Sequence, residues 1–156
     1  MSDIAVTTED YVSTIEMRRP PHNFFDLAML RDIADALDAL DGDPACRAVV
    51  LAAEGKSFCA GADLAGRDDS DARTGASKVY EQGIRMFRFS KPIIAAVHGA
   101  AIGGGLGLAM TADFRVSCPE ARLSANFPRL GFHPGFGLSV TLPRAVGRKA
   151  AAMMLS

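Results

Sequence analysis

Lys91-Pro-Ile-Ile-Ala-Ala-Val-His-Gly-Ala-Ala-Ile-Gly-Gly-Gly-Leu-Gly-Leu-Ala-Met-Thr-Ala-Asp-Phe-Arg-Val-Ser117 is the stretch from which the fold can be read. Ile93–Val97, bounded by Pro92 and Gly99, is a short apolar run of the kind found inside a parallel sheet. Gly103-Gly104-Gly105 comes next. Leu106, Leu108, Ala109, Met110 and Ala112 are then apolar nearly all round, as in a short buried helix, before Phe114–Ser117 returns to strand. The glycines therefore open a helix. Without Cβ atoms they admit a ligand close to the backbone, and the unpaired N–H groups of the first turn point at it, which makes an anion or oxyanion site. The competing reading is that they serve only close packing of helix on sheet. Two familiar phosphate sites fail on spacing: Leu108 stands where G-x-G-x-x-G needs its last glycine, and no Gly-Lys-Ser/Thr follows.

Working outward, Ile4–Thr8 and Tyr11–Met17 flank Glu9-Asp10 and read as an antiparallel hairpin, which Pro20 and Pro21 break. Leu27, Leu30, Ala34, Leu37 and Leu40 recur at helical steps after Asp26 and stop near Gly42. Ala48–Ala52 is a second buried strand, leading into Glu54-Gly-Lys-Ser-Phe-Cys-Ala-Gly-Ala-Asp-Leu64, a second glycine-bearing turn. Residues 66–75 read as a polar surface loop, whose Asp68, Asp69 and Asp71 are a solvated run rather than a metal site. Tyr80, Gly83, Ile84 and Phe87 mark one face of the next helix, ending at Lys91-Pro92. Arg122–Ser124 reads as strand, Gly131–Gly137 as loop, and Leu138–Val146 and Arg148–Leu155 as helices split by Gly147. Thr141 stands where G-x-S-x-G needs its second glycine, so Ser139 is not on a nucleophile elbow. The alternation is that of an α/β fold with a largely parallel sheet. Both glycine turns follow strands, so they face one crevice, and their N–H groups can converge on a carbonyl oxygen that turns negative during reaction.

Composition sets the outer bounds. With 156 residues, 49% of them hydrophobic, and net charge −1, the chain reads as a single globular domain spanning 1–156. It shows no basic excess for nucleic acid or membrane surfaces, and nowhere do about 18 apolar residues run together. Cytoplasm is the expected compartment. Cys46, Cys59 and Cys118 form neither a disulfide framework nor a metal motif and read as small packing residues.

Ser57-Phe-Cys-Ala-Gly-Ala-Asp-Leu64, then Lys91–Gly99 and Gly103–Gly105, resemble the enoyl-CoA hydratase/isomerase family, the crotonase superfamily. Arg19-Pro-Pro-His-Asn23, Ala112-Asp-Phe-Arg-Val116 and Leu142-Pro-Arg-Ala-Val-Gly147 fall in the family's order. The resemblance implies a crotonase-like (ClpP/crotonase) spiral of ββα units that binds an acyl-coenzyme A thioester, as a lyase or isomerase of fatty acid metabolism. By position, the enolate oxygen falls to the N–H groups of Ala62 and Gly104. Backbone around His22, Asn23 and Phe24, and around Ala60, Gly61, Asp63 and Leu64, lines the coenzyme A path. No metal or separate cofactor is implied. Members usually continue past a point such as Ser156 with helices that close the acyl pocket and build homo-trimers and hexamers. The C-terminal part of the usual fold is expected to be absent here, leaving Met153, Met154 and Leu155 with nothing to pack on.

One departure bears on chemistry. The two glutamates that family hydratases use as acid and base fall at Gly107 and Phe127, which cannot carry protons, and Phe136, an acidic position in some relatives, is also silent. His133 is the remaining acid/base candidate; its alternative is a loop hydrogen bond. Asp63, Cys59 and His98 are weighed as a turn cap, a packing residue and a turn histidine. Two functions stay open: an acyl-CoA enzyme, or an acyl-CoA-binding member without turnover. A nucleotide-binding domain is disfavoured by the glycine spacing.

Overall fold

A computed structural model describes residues 3–63 and 72–156. The chain opens with β1 (Ile4–Glu9) and β2 (Val12–Met17), paired antiparallel across Asp10-Tyr11, both at positive φ. The turn thus sits one residue later than the sequence suggests. Helix α1 (Leu27–Asp41) begins where the Asp26 carboxylate accepts from the Met29 N–H at 2.9 Å, and it ends at Gly42. Lys91 Nζ closes that end by donating to the carbonyls of Leu40 and Asp43.

From there a unit of strand, strand, helix repeats. β3 (Ala48–Ala53), β4 (Ser57–Cys59) and α2 (Ala72–Phe87) form one unit; β5 (Ile93–Val97), β6 (Ala100–Ile102) and α3 (Gly104–Ala109) form the next. β7 (Phe114–Ser117), β8 (Arg122–Ser124) and α4 (Leu138–Val146) form the third, and α5 (Arg148–Met154) follows. The first strand of each unit extends a five-stranded sheet, β1-β2-β3-β5-β7, and the second extends a three-stranded sheet, β4-β6-β8. All pairings beyond the first hairpin are parallel. This is the spiral of ββα units implied by the resemblance.

The core lies under α1. Met29, Leu30, Ile33, Ala34 and Leu37 on that helix belong to one buried cluster with Ile15, Met17, Val49, Leu51, Ala95 and Val97 of the larger sheet. A second cluster joins Leu106, Met110, Ala125, Leu138, Leu142 and Ala151. Met154 and Leu155 pack against it, so only Met153, 73% exposed, matches the expected uncovered end of the last helix.

Three further expectations need correction. Residues 72–75 belong to α2 rather than to a loop, while 64–71, with Asp68, Asp69 and Asp71, lie outside the described residues. On α2 the inward residues are Gln82, Gly83 and Met86, whereas Tyr80, Ile84 and Phe87 are exposed. Two contacts set that rotation: Arg85 pairs with Asp35 and Asp38 of α1 at 2.6 and 2.5 Å, and the bare α-carbon of Gly83 lies under the Phe136 ring. Finally, β4 and β6 are three-residue strands hidden in what reads as turn. Among the described residues, no helix is long and apolar enough to cross a membrane.

Candidate functional site

The smaller sheet builds the site. Because β4, β6 and β8 run parallel as neighbours, their carboxyl ends leave the sheet at one edge, and the segments that follow, 60–63, 103–104 and 125–127, come together there. Ligands of parallel sheets lie at such edges. The Gly103 N–H donates to Ser124 O at 2.8 Å, carrying the β6–β8 ladder one step into the site.

Phe25 fixes the first turn. Its N–H donates to Gly61 O at 2.9 Å, and its carbonyl accepts from the Asp63 N–H at 2.7 Å, a short parallel bridge that leaves the Ala62 N–H pointing away from it. Gly61 stands at φ +109°, which a side chain at that position would resist. In the second turn Gly105 lies so close to β4 that a Cβ there would meet Cys59 O at 1.9 Å, hence no residue but glycine opens α3 this way. The two turns converge. The Ala62 nitrogen is 3.9 Å from where a Cβ on Gly104 would stand, and the Gly104 nitrogen is the same distance from that point on Gly61. Neither N–H donates to a backbone acceptor among the described residues. Both residues line one cavity of about 700 Å³.

That cavity also takes in Ala60, Gly61, Asp63, Phe24 and His133. His22 lines a smaller neighbouring cavity of about 490 Å³ that shares Phe24, Asp26 and Asp63 with the first, and its Nδ1 is 3.3 Å from Ser57 Oγ. Asn23 is fully buried beneath this surface. Its side-chain amide donates to Glu54 O and Ser57 O and its Oδ1 accepts from the Arg19 N–H, so it braces the loop from below. Leu64 lies outside the described residues.

The remaining candidates separate cleanly. His133 Nδ1 is 3.0 Å from Pro134 O; since a carbonyl only accepts, Nδ1 carries the proton and Nε2 keeps its lone pair in the neutral ring. His98 Nε2 likewise donates to Gly55 O at 2.9 Å and lines neither cavity. Cys59 is buried, which pushes its thiol up to about 12 and removes it as a nucleophile at neutral pH. Beside the smaller cavity, the Arg19 guanidinium holds the Asp3 carboxyl below its usual range. Asp26 is held low too: burial works against its charge, but the Met29 N–H and Arg19 outweigh it.

Gly107 is not an empty acid position. A Cβ there would stand 2.3 Å from Phe136 Cβ and 2.9 Å from Cγ, so Phe136 occupies the space any side chain at 107 would need. Phe136 in turn packs edge-on to Phe25, centroids 5.6 Å apart, and the Phe25 ring rests on Gly104. Sequence reasoning missed this aromatic layer, and it missed Asn126, whose Oδ1 sits against Gly103 in the same cavity. No sequence signal pairs Gly104 and Gly107 with Phe25 and Phe136; only the packing brings them together. Among the described residues, no cluster of three or more histidine, cysteine or carboxylate side chains could hold a metal ion.

Comparison with known proteins supplies the context for this geometry. A protein-family model described as enoyl-CoA hydratase/isomerase matches residues 7–156. A Bacillus subtilis protein named probable enoyl-CoA hydratase is 33% identical over 99% of this chain and 62% of its own length. The crotonyl-CoA hydratase of Syntrophomonas wolfei is 36% identical over 98% of this chain and 61% of its own. Among solved structures, Pseudomonas aeruginosa DspI superposes with a TM-score of 0.93 at 30% identity, over 99% of this chain and 65% of that one. The chain thus spans about three fifths of the length of the curated relatives it matches.

Proposed function

Because the chain belongs to the enoyl-CoA hydratase/isomerase family, we propose that its cavity binds an acyl-coenzyme A thioester whose carbonyl oxygen accepts from the N–H groups of Ala62 and Gly104. The convergence of these two amides, each nitrogen 3.9 Å from where a Cβ would stand on the other turn's glycine, is the observation that carries the reading. Removing an α-proton, or adding a nucleophile to a conjugated thioester, moves negative charge onto that oxygen. A preorganised donor facing such charge is worth about 10²–10³ in rate. The coenzyme A portion runs over the 22–24 and 60–63 backbone and along the smaller cavity beside Arg19. Coenzyme A enters as part of the substrate, and chemistry of this kind calls for no metal or redox group.

Proton transfer falls to His133. Its Nε2 is the free acceptor on a loop that lines the cavity, and an imidazole nitrogen of this kind can take up and return a proton. The reaction is then a lyase or isomerase step. A second reading, binding without turnover, is favoured by one specific observation: Phe136 fills the place of the first acid and Phe127 stands at the second. Family resemblance supports a homo-trimer or hexamer acting in fatty acid metabolism.

The test is to add crotonyl-CoA and follow loss of the conjugated thioester absorbance, with calorimetry alongside. Turnover abolished by His133→Ala supports the enzyme, and turnover unchanged in that variant removes His133 as acid or base. Binding without turnover, with isomerase and hydrolase substrates also inert, supports the second reading. No binding of any acyl-CoA overturns both.

A further inference from the structure

We propose that the cavity selects coenzyme A thioesters whose acyl group is a flat aromatic ring, seated against Phe127. The inference rests on the assignment of the Ala62 and Gly104 amides to the thioester, and it concerns what lies beyond that oxygen. Of the nine phenylalanines in the chain, five (Phe24, Phe25, Phe127, Phe132 and Phe136) line this one cavity. Their placement follows the glycines. Phe25 rests on Gly104, Phe136 on Gly107 and Gly83, and Phe127 reaches to 3.9 Å from the Cβ position of Gly103 and 3.5 Å from that of Gly135. Three of the five rings are thus seated on bare glycine backbone, in the cavity that the amide pair also lines.

Two rings in this layer already satisfy each other: Phe25 and Phe136 meet edge to face at 5.6 Å and 65°, both nearly fully buried. Phe127 differs. It is only half-buried, faces the cavity, and has no ring partner among the described residues. An aromatic pair is favoured beyond the area it buries because the positive edge of one ring meets the negative face of another. Aliphatic acyl groups gain the area term alone. Charge selection points the same way. Where a glutamate pair would demand a polar or hydrated acyl region, this chain offers Gly107 and Phe127, so the wall is apolar and a ring loses no hydrogen bonds on entering.

Titration calorimetry on the full chain with benzoyl-CoA, cyclohexanecarbonyl-CoA and coenzyme A alone tests this. The two thioesters share carbon count, thioester and coenzyme, and differ in the flat π-system. Benzoyl-CoA should bind roughly 2- to 13-fold tighter than its saturated counterpart, the span an aromatic pair contributes. Phe127→Leu, which keeps an apolar side chain, should bring the two within about twofold. Phe114→Leu, exposed on β7 and lining neither cavity, should leave the preference in place, and if Phe127→Leu does not fold, Phe127→Met takes its place in the comparison. Equal affinities, or tighter binding of the saturated thioester, overturn the aromatic preference while leaving thioester binding intact. If neither thioester binds more tightly than coenzyme A, the amide assignment fails and the preference with it.

Discussion

Adding a single carbon at Gly107 should expose the constraint that removed the first acid. An alanine Cβ would stand 2.3 Å from Phe136 Cβ and 2.9 Å from Cγ, against an ordinary contact of about 3.4–4 Å. Both partners are buried, and Phe136 is wedged between Phe25 and Gly83, so the overlap is relieved only by moving α3 or the 135–137 loop. Overpacking of this size costs about 1–3 kcal/mol, while replacing glycine by alanine within a helix returns up to about 1 kcal/mol. Gly107→Ala should therefore be neutral to about 2 kcal/mol less stable by equilibrium urea unfolding. In a Phe136→Gly background the overlapping atoms are gone, and glycine suits the φ of +51° at that position. There the same Gly107→Ala change should stabilise by up to about 1 kcal/mol. The cycle then yields a coupling of about 1–3 kcal/mol. Additivity within about 0.5 kcal/mol, or a stabilising Gly107→Ala in the parent, would refute the claim that Phe136 fills this place.

Gly61→Ala should destabilise the chain by about 1–3 kcal/mol and weaken acyl-CoA binding with it, because φ +109° strains any side chain and the new Cβ would press to 3.1 Å from Ile102 O; calorimetry alongside unfolding checks both. Asp26→Ala should cost about 1 kcal/mol through loss of the α1 cap, and Asp26→Asn less, since its amide oxygen can still accept from Met29. Asp3 and Asp26 are both held below their usual range in the fold. Their charge-linked stability is therefore complete above about pH 4 and is lost as pH falls through the lowered folded values; a pH series of unfolding should show a shallower acid slope in Asp26→Asn. Thiol labelling at neutral pH should modify the partly exposed Cys118 first and reach Cys46 and Cys59 only on unfolding, which mass spectrometry of the peptides resolves.

The sequence disclosed what periodicity and glycine placement encode directly. The stripe from Leu30 to Leu40, the buried run Ile93–Val97 and the helix opened by Gly103–Gly105 all follow from local rules. The second sheet was legible only at Arg122–Ser124; β4 and β6, also three residues long, take their strand character from parallel neighbours far away in the chain. That sheet is what draws 60–63, 103–104 and 125–127 to one edge. The rotation of α2 was hidden for the same reason: Arg85 reaching Asp35 and Asp38, and Phe136 seated on Gly83, are tertiary contacts that override an apolar stripe. Of the site, the glycine turns were legible as close-approach backbone. The aromatic layer was not, since Phe25 and Phe136 lie more than a hundred residues apart and only packing pairs them.

Backbone amide NMR on the chain titrated with an acyl-CoA, and in parallel with the matching thioether that lacks the carbonyl, tests the central claim most directly. The account predicts that the Ala62 and Gly104 N–H resonances move downfield together with the thioester, saturating at one affinity, and stay near their starting positions with the thioether. Perturbation of the 22–24 and 60–63 backbone by both compounds, with Ala62 and Gly104 responding equally to each or not at all, would contradict it.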